Sequence, residues 1–268
     1  MAEVISADDV ETATKRAVAL LGEGRLVVLP TDTVYAVVAD AFQTFATQRM
    51  FGAKRRGRDL PISVLIRNPR QVIGLARDVP ETAERLMASY WPGPVSILLP
   101  VQPDMPWDLG QSGDAINLRM PAHDLLLRIA AEIGPLACSA ANRRGEPPAT
   151  TVDEAEEQLG ETIDLYVDGG PSQSTVTTVV DCTRSEIAVL REGTVPAEDI
   201  LRVARGEVDW GARPAPEGPP TAEPAAQRDP ADSQSHTPTT AEPVAPRDHR
   251  DGQSHTPDHH QQPETDSE

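Results

Sequence analysis

AINLRMPAHDLLLRIAAEIGPLACSAANRRG, residues 115–145, decides the fold. AINLR (115–119) reads as a short strand, and DLLLRIAAEI (124–133) as a helix that begins after Pro121. PLACS (135–139) is then a buried strand, because a short apolar run bounded by Gly and Pro suits a strand better than a helix. Working outward, the same alternation recurs. Strands are expected at 25–30, in the β-leaning stretch 31–41, and at 62–66 and 95–100, with helices over 42–52 and 80–89. Ser6, Asp8 and Asp9 open an N-terminal amphipathic helix carrying Val10, Ala13, Ala17, Val18 and Leu21, and Gly22 and Gly24 close it. A helix near 152–159, strands near 163–167, 176–182 and 186–191, and a helix after Pro196 complete the series. Helices interleaved with short apolar strands predict a sheet covered by helices, an α/β domain of three layers with a mixed sheet over residues 1–208.

The remaining residues, 209–268, differ in kind. Residues 211–268 hold 11 of the 26 prolines and no aromatic residue. TAEPAAQRDPADSQSHTP (221–238) returns as TAEPVAPRDHRDGQSHTP (240–257), a period of 19 residues. Such Pro-rich acidic sequence buries too little apolar surface to offset chain entropy, so a disordered tail is expected. Five of the six histidines fall there, scattered and without Cys partners, which argues for a solubilising or tethering segment over a metal site. The charge of −18 leaves −11 on the front part once the 11 acids and 4 bases of 211–268 are set aside. A generic nucleic-acid binder carries a basic face instead.

Cys138 and Cys182 make neither a disulfide framework nor a metal site. No apolar run approaches the ~20 residues that span a bilayer. The first residues lack the basic-then-apolar order of an export signal, so a cytoplasmic protein without membrane attachment is expected. Neither GxxxxGK[ST] nor a strand-linked GxGxxG is present, and HExxH, GxSxG and CxxC are missing as well. His123 is the only histidine of the front part and sits at a helix start, where a capping or surface role is the plainer reading.

Four polar clusters interrupt the strands. PTDTVY (30–35) follows a buried strand and is either a turn with side-chain bonds to backbone or a ligand site at a strand end. KRRGR (54–58) places four cations in five residues of an acidic domain, a solvated loop or a polyphosphate site where no P-loop exists. SAANRRG (139–145) ends a strand in small residues that let a ligand approach the backbone, as a plain turn also would. TTVVD (177–181) is ordinary alternating strand sequence, whereas Arg191 of LREG (190–193), at a strand end before Gly, is harder to dismiss.

Together with WPGP (91–94) and NLRMP (117–121), these clusters resemble, in order and spacing, the YrdC family of L-threonylcarbamoyladenylate synthases over about residues 8–205. The resemblance implies a YrdC-like fold (α/β, or α+β in some schemes), a twisted mixed β-sheet flanked by helices with an open cationic cleft. It implies condensation of L-threonine, bicarbonate and ATP to threonylcarbamoyl-AMP and pyrophosphate, for tRNA modification beside the anticodon. Lys54 and Arg56 match the K-x-R that contacts the ATP phosphates and supplies charge stabilisation. Ala141, Asn142 and Arg191 match further ATP-binding positions, and Thr33, Arg119, Ser139 and Thr177 match the threonine pocket. Mg²⁺ is expected with ATP rather than on protein ligands. No general base is assigned, because the attacking carbamate is already an anion. The implied partners are the substrates, the tRNA threonylcarbamoyl transferase complex and, weakly, RNA.

Ala36 replaces the usual Gly after P-T-x-T-V-Y, Ala140 replaces the Ser of S-A-N, and Leu60 and Leu65 stand where longer members carry Asn and His. Two other readings compete. One is a non-catalytic RNA-binding protein, supported by the cations at 54–58, 143 and 144 but opposed by the charge balance and the shortage of stacking aromatics. The other is a carbamoyl-adenylate-forming relative of hydrogenase maturation, whose usual zinc-finger and acylphosphatase domains have no counterpart here.

Overall fold

The structure, a computed structural model, describes residues 2–111 and 113–208; the expected tail over 209–268 lies outside the described residues. The strands are β1 (Glu3–Ser6), β2 (Val27–Leu29), β3 (Ala36–Asp40), β4 (Ser63–Leu65), β5 (Val95–Pro100), β6 (Ala115–Arg119), β7 (Leu136–Ala140), β8 (Leu165–Asp168), β9 (Thr178–Asp181) and β10 (Ala188–Arg191). The α-helices are α1 (Val10–Gly22), α2 (Thr44–Ala53), α3 (Val72–Leu75), α4 (Glu81–Tyr90), α5 (Asp124–Ile133), α6 (Val152–Leu159) and α7 (Ala197–Ala204). All strands join one sheet in the order β1-β8-β2-β3-β7-β4-β6-β5-β9-β10. The sheet is mixed: β8 runs parallel to β1 and β2, β4 to β6 and β5 to β9, while β3, β7 and β10 pair antiparallel with their neighbours.

The three-layer arrangement predicted from the alternation of elements is what the chain adopts. On one face α1 and α5 pack Ala13, Ala17, Leu21, Leu126 and Ile129 onto Val27, Leu29, Val38, Leu65 and Leu136. On the other, α2, α4, α6 and α7 bury Met50, Leu86, Ala155 and Ile200 against Val37, Val64, Ile97 and Leu118. Asp9 caps α1 by accepting from the Thr12 N–H, so the helix begins one residue later than the acidic pair suggests. Several short elements were not anticipated, among them the 3₁₀ turn at Gly160–Thr162. β1 is a four-residue strand whose side chains alternate between half-buried and exposed, too short to register as a period. The 3₁₀ turn at Pro69–Gln71 leading into α3 is capped by the Asn68 side chain on the Arg70 N–H. No helix of the described residues is long and apolar enough to cross a membrane.

The two faces are not equally covered. The core beneath α1 and α5 draws on β2, β3, β4, β7 and β8, with no described residue from β5, β6 or β9. On β6, Ile116 and Leu118 point into the opposite core, so the alternating partners Asn117 and Arg119 face the side where the helices stop. That uncovered stretch of sheet is the floor of a cavity.

Candidate active site

The cavity has a volume of about 470 Å³, within the usual range of small-molecule sites. Five cations line it, Lys54, Arg56, Arg119, Arg144 and Arg191, and no carboxylate among the described residues does. Thr33, Ser139, Asn142 and Thr177 lie in the same wall, so eight of the nine expected contact residues converge although they are up to 158 positions apart. Ala141 is the exception. It is fully buried; its N–H donates to the Tyr35 carbonyl and its own carbonyl accepts from the Ala149 N–H, so neither backbone group faces a ligand. Ala140 takes the lining position instead.

The basic cluster and the SAANRRG cluster form one knot. α2 ends at Lys54, and Arg55 takes a left-handed φ of 49°, which turns the chain back toward β7. Lys54 Nζ donates to the carbonyls of Ala140 and Asn142 (2.6 Å to the latter) and to Asn142 Oδ1 at 3.0 Å. The Arg144 N–H returns a bond to the Lys54 carbonyl. Three acceptors match the three donors of an ammonium, so Lys54 holds the end of β7 as well as charging the cavity. Burial, and then repulsion from Arg56, push its pKa down to about 7. Asn142 is equally committed, its Nδ2 donating to the carbonyls of Glu146 and Arg143. Lys54 and Asn142 therefore use their polar side-chain atoms within the protein.

Arg56 bridges two walls. Its Nη1 donates to Ser139 Oγ at 2.8 Å and its Nη2 to the Pro61 carbonyl at 2.7 Å, while its buried Nε has no partner. Burial lowers its pKa first; the Asp59 charge opposes this and the Arg144 charge adds to it. Arg191 donates from Nε to the Thr177 carbonyl and from Nη2 to Thr177 Oγ1 at 2.6 Å. Its pKa is lowered by burial and then by Arg119. Among the described residues, Lys54, Arg56 and Arg191 have no acid within ion-pair distance, so the cavity is charged in advance for an anion.

Arg119 is the cation with a buried acidic partner. It pairs with Asp32 through Nη2, donates from Nε to the Gly93 carbonyl at 3.0 Å and reaches Thr33 Oγ1 from Nη1 at 3.4 Å. The WPGP turn supplies that carbonyl: the Trp91–Pro92 bond is cis, Trp91 Nε1 donates to the Val95 carbonyl, and the Gly93 N–H donates to Met120. Of the five N–H groups of a guanidinium, three are engaged and two remain for a ligand. The threonines of PTDTVY form a side-chain turn that also borders the cavity. Thr31 Oγ1 accepts from the Thr33 N–H and donates to the Val34 carbonyl, a side-chain turn, and both threonines line the cavity. Ala36, Leu60, Leu65 and Ala140, the departures from the family pattern, all lie in the same lining and join Val34, Val176 and Val179 in its apolar part.

His123 stands at the N-terminus of α5 without capping it through its side chain, and its buried Nδ1 has no partner. Cys138 lines the cavity, but burial pushes its thiol up to about 11, which removes it as a nucleophile near neutral pH. The sequence reading passed over Ser63, Ser96 and Asn117, which join the polar floor; their signal is a polar residue inside a strand that is otherwise apolar.

A relative from Mycobacterium leprae is 43% identical over 188 residues, 70% of this chain and 86% of the relative. The threonylcarbamoyl-AMP synthase of Pyrococcus abyssi is 36% identical over 194 residues, of which this chain covers 72% of itself and 57% of the relative. A crystal structure of Pyrococcus abyssi Sua5 complexed with L-threonine superposes with a TM-score of 0.71 at 32% identity, over 76% of this chain and 60% of that one. The fold recurs in Escherichia coli YciO, with a TM-score of 0.68 at 22% identity, over 75% of this chain and all of that one. The sequence model of the family grouping Sua5, YciO and YrdC proteins, described as telomere recombination, matches residues 19–193. That match covers more than half of the chain, and the chain belongs to the Sua5, YciO and YrdC family.

Proposed function

We propose that this chain is a threonylcarbamoyl-AMP synthase, condensing L-threonine, bicarbonate and ATP to threonylcarbamoyl-AMP and pyrophosphate. The observation that carries the reading is that one cavity joins Arg119, with two N–H groups to spare, to three cations that lack acidic partners. Arg119 takes the α-carboxylate of threonine, and Thr33, Ser139 and Thr177 surround the rest of the amino acid. The free amine and bicarbonate give a carbamate and water. A carbamate oxygen then attacks the α-phosphorus as the bond to the bridging oxygen breaks and pyrophosphate leaves. Arg56 and Arg191 hold the phosphates, and Lys54, its donors already engaged by Ala140 and Asn142, adds positive charge beside them. Such phosphoryl chemistry rests on positioning and charge more than on a proton-transferring side chain.

Among the described residues the lining contains no carboxylate, so these residues do not form a cage for Mg²⁺. The divalent ion arrives as part of the ATP complex. Hand-over of the product to the tRNA threonylcarbamoyl transferase complex, in the cytoplasm, completes the proposal.

The deciding test is pyrophosphate release by the full chain with ATP, Mg²⁺ and bicarbonate, with and without L-threonine. Threonine-dependent release is the expected result. Release that ignores threonine, or RNA binding without turnover, overturns the reading. A second result follows from Lys54. Its pKa of about 7 leaves much of it neutral at pH 8, and polyphosphate beside it favours the charged form. ATP binding at pH 8 is therefore accompanied by proton uptake, and this uptake shrinks at pH 6. Calorimetry in two buffers of different ionisation enthalpy reads it directly, and Lys54→Met abolishes it.

A further inference from the structure

Thr178 stands outside the cavity and was read from sequence as plain strand. It is fully buried at the start of β9, and its hydroxyl is saturated. Thr178 Oγ1 accepts from the Gly193 N–H at 3.0 Å and the Val195 N–H at 3.1 Å, and donates to the Val195 carbonyl at 2.6 Å. These bonds tie the chain after β10 across the residues before β9. The crossing is a backbone-on-backbone contact: a Cβ at Gly193 would sit 2.3 Å from the Val176 carbonyl oxygen and 2.5 Å from the Thr177 carbonyl carbon. The Thr194 N–H adds a bond to Val176 at 2.9 Å.

The residues this clip brings together belong to the two substrate subsites. Arg191 leaves β10 two residues before Gly193, and Thr177 precedes Thr178. Their 2.6 Å hydrogen bond joins the Arg that faces the nucleotide to the Thr that faces threonine. Arg191 is a long side chain in an edge strand whose pairing shifts register between Val189 and Arg191, so the strand ladder alone does not aim it. Thr178 also receives no ligand of its own, because every polar side-chain position is in use. We infer that Thr178, with the close approach that Gly193 permits, is a positioning residue for the synthase reaction: it sets Arg191 and Thr177 in register, and so couples the nucleotide subsite to the threonine subsite. This rests on the synthase reading above.

Thr178→Val keeps the shape and removes the hydroxyl, leaving the N–H groups of Gly193 and Val195 without their acceptor. Steady-state kinetics of the full chain are expected to show KM for ATP raised about tenfold, with KM for threonine raised in step and kcat less affected. Thr178→Ser restores both KM values. In an Arg191→Ala background, Thr178→Val adds nothing further to the ATP effect, since the side chain it would aim is gone. ATP affinity measured calorimetrically on the wild type and the same four variants repeats the pattern without turnover. A lowered melting temperature with unchanged KM values would reduce Thr178 to a structural role, and additive effects in the Arg191→Ala background would overturn the inference outright. Wild-type protein that binds ATP but shows no threonine-dependent turnover would sink the synthase reading alone, and the binding cycle would still decide whether Thr178 aims Arg191.

Discussion

Arg119→Met is expected to abolish threonine-dependent pyrophosphate release and to destabilise the fold at the same time. The guanidinium and the Asp32 carboxylate are 7% and 12% exposed, and Asp32 Oδ2 already has no partner. Removing one member of a buried pair leaves an uncompensated charge, which costs about 3–5 kcal/mol. The double variant Asp32→Asn/Arg119→Met separates the two effects. An amide needs no counter-charge, so most of the lost stability returns in denaturant titrations, while KM for threonine stays raised by about 100-fold or more because the carboxylate clamp is absent. A double variant that recovers threonine dependence along with stability would show that Arg119 serves the fold and not the substrate.

The second large effect is expected at Arg56. Arg56→Ala removes a cation with no acid within ion-pair distance and severs the link from the 57–61 segment to β7. A loss of about 10²–10³ in kcat/KM is expected, the range seen when one donor aimed at developing charge is removed. Arg56→Lys does not rescue it. An ammonium cannot donate at once to Ser139 Oγ and the Pro61 carbonyl with the geometry of a planar fork and still present an N–H to phosphate. Single-turnover measurements check the chemical step. If Arg56→Lys turns over at the wild-type rate, the positive charge alone suffices and the bridge across the cavity is incidental.

Much of this site was legible in the chain because its residues interrupt apolar strands. Lys54, Arg56, Arg119 and Arg191 are cations at strand or helix ends of an acidic domain, and an ordered set of such breaks marks one cleft. The sequence is silent where neighbouring residues share a composition. In Ser139-Ala140-Ala141-Asn142 nothing in the small side chains tells which alanine faces in; Ala141 turns away because Tyr35 takes its N–H. Thr177 and Thr178 are chemically alike, yet one lines the cavity and the other is sealed beneath it, a difference set by the crossing of residues 192–195 that no local pattern records. The charge of Lys54 is legible in the sequence, but the commitment of its three donors to Ala140 and Asn142 is not.

The mutual crowding of the cations has a consequence for the empty protein. Lys54, Arg56 and Arg191 are held in place by neutral oxygens of carbonyls and hydroxyls, which orient them but cancel none of their charge. Folding thus compresses like charges into one chamber and leaves the repulsion unrelieved. The missing counter-ion is the substrate itself, so binding completes the electrostatics of folding, and the same chamber that welcomes a triphosphate will be slow to surrender pyrophosphate. Release of the inorganic product, rather than the making of the mixed anhydride, is where such a cavity would set its pace.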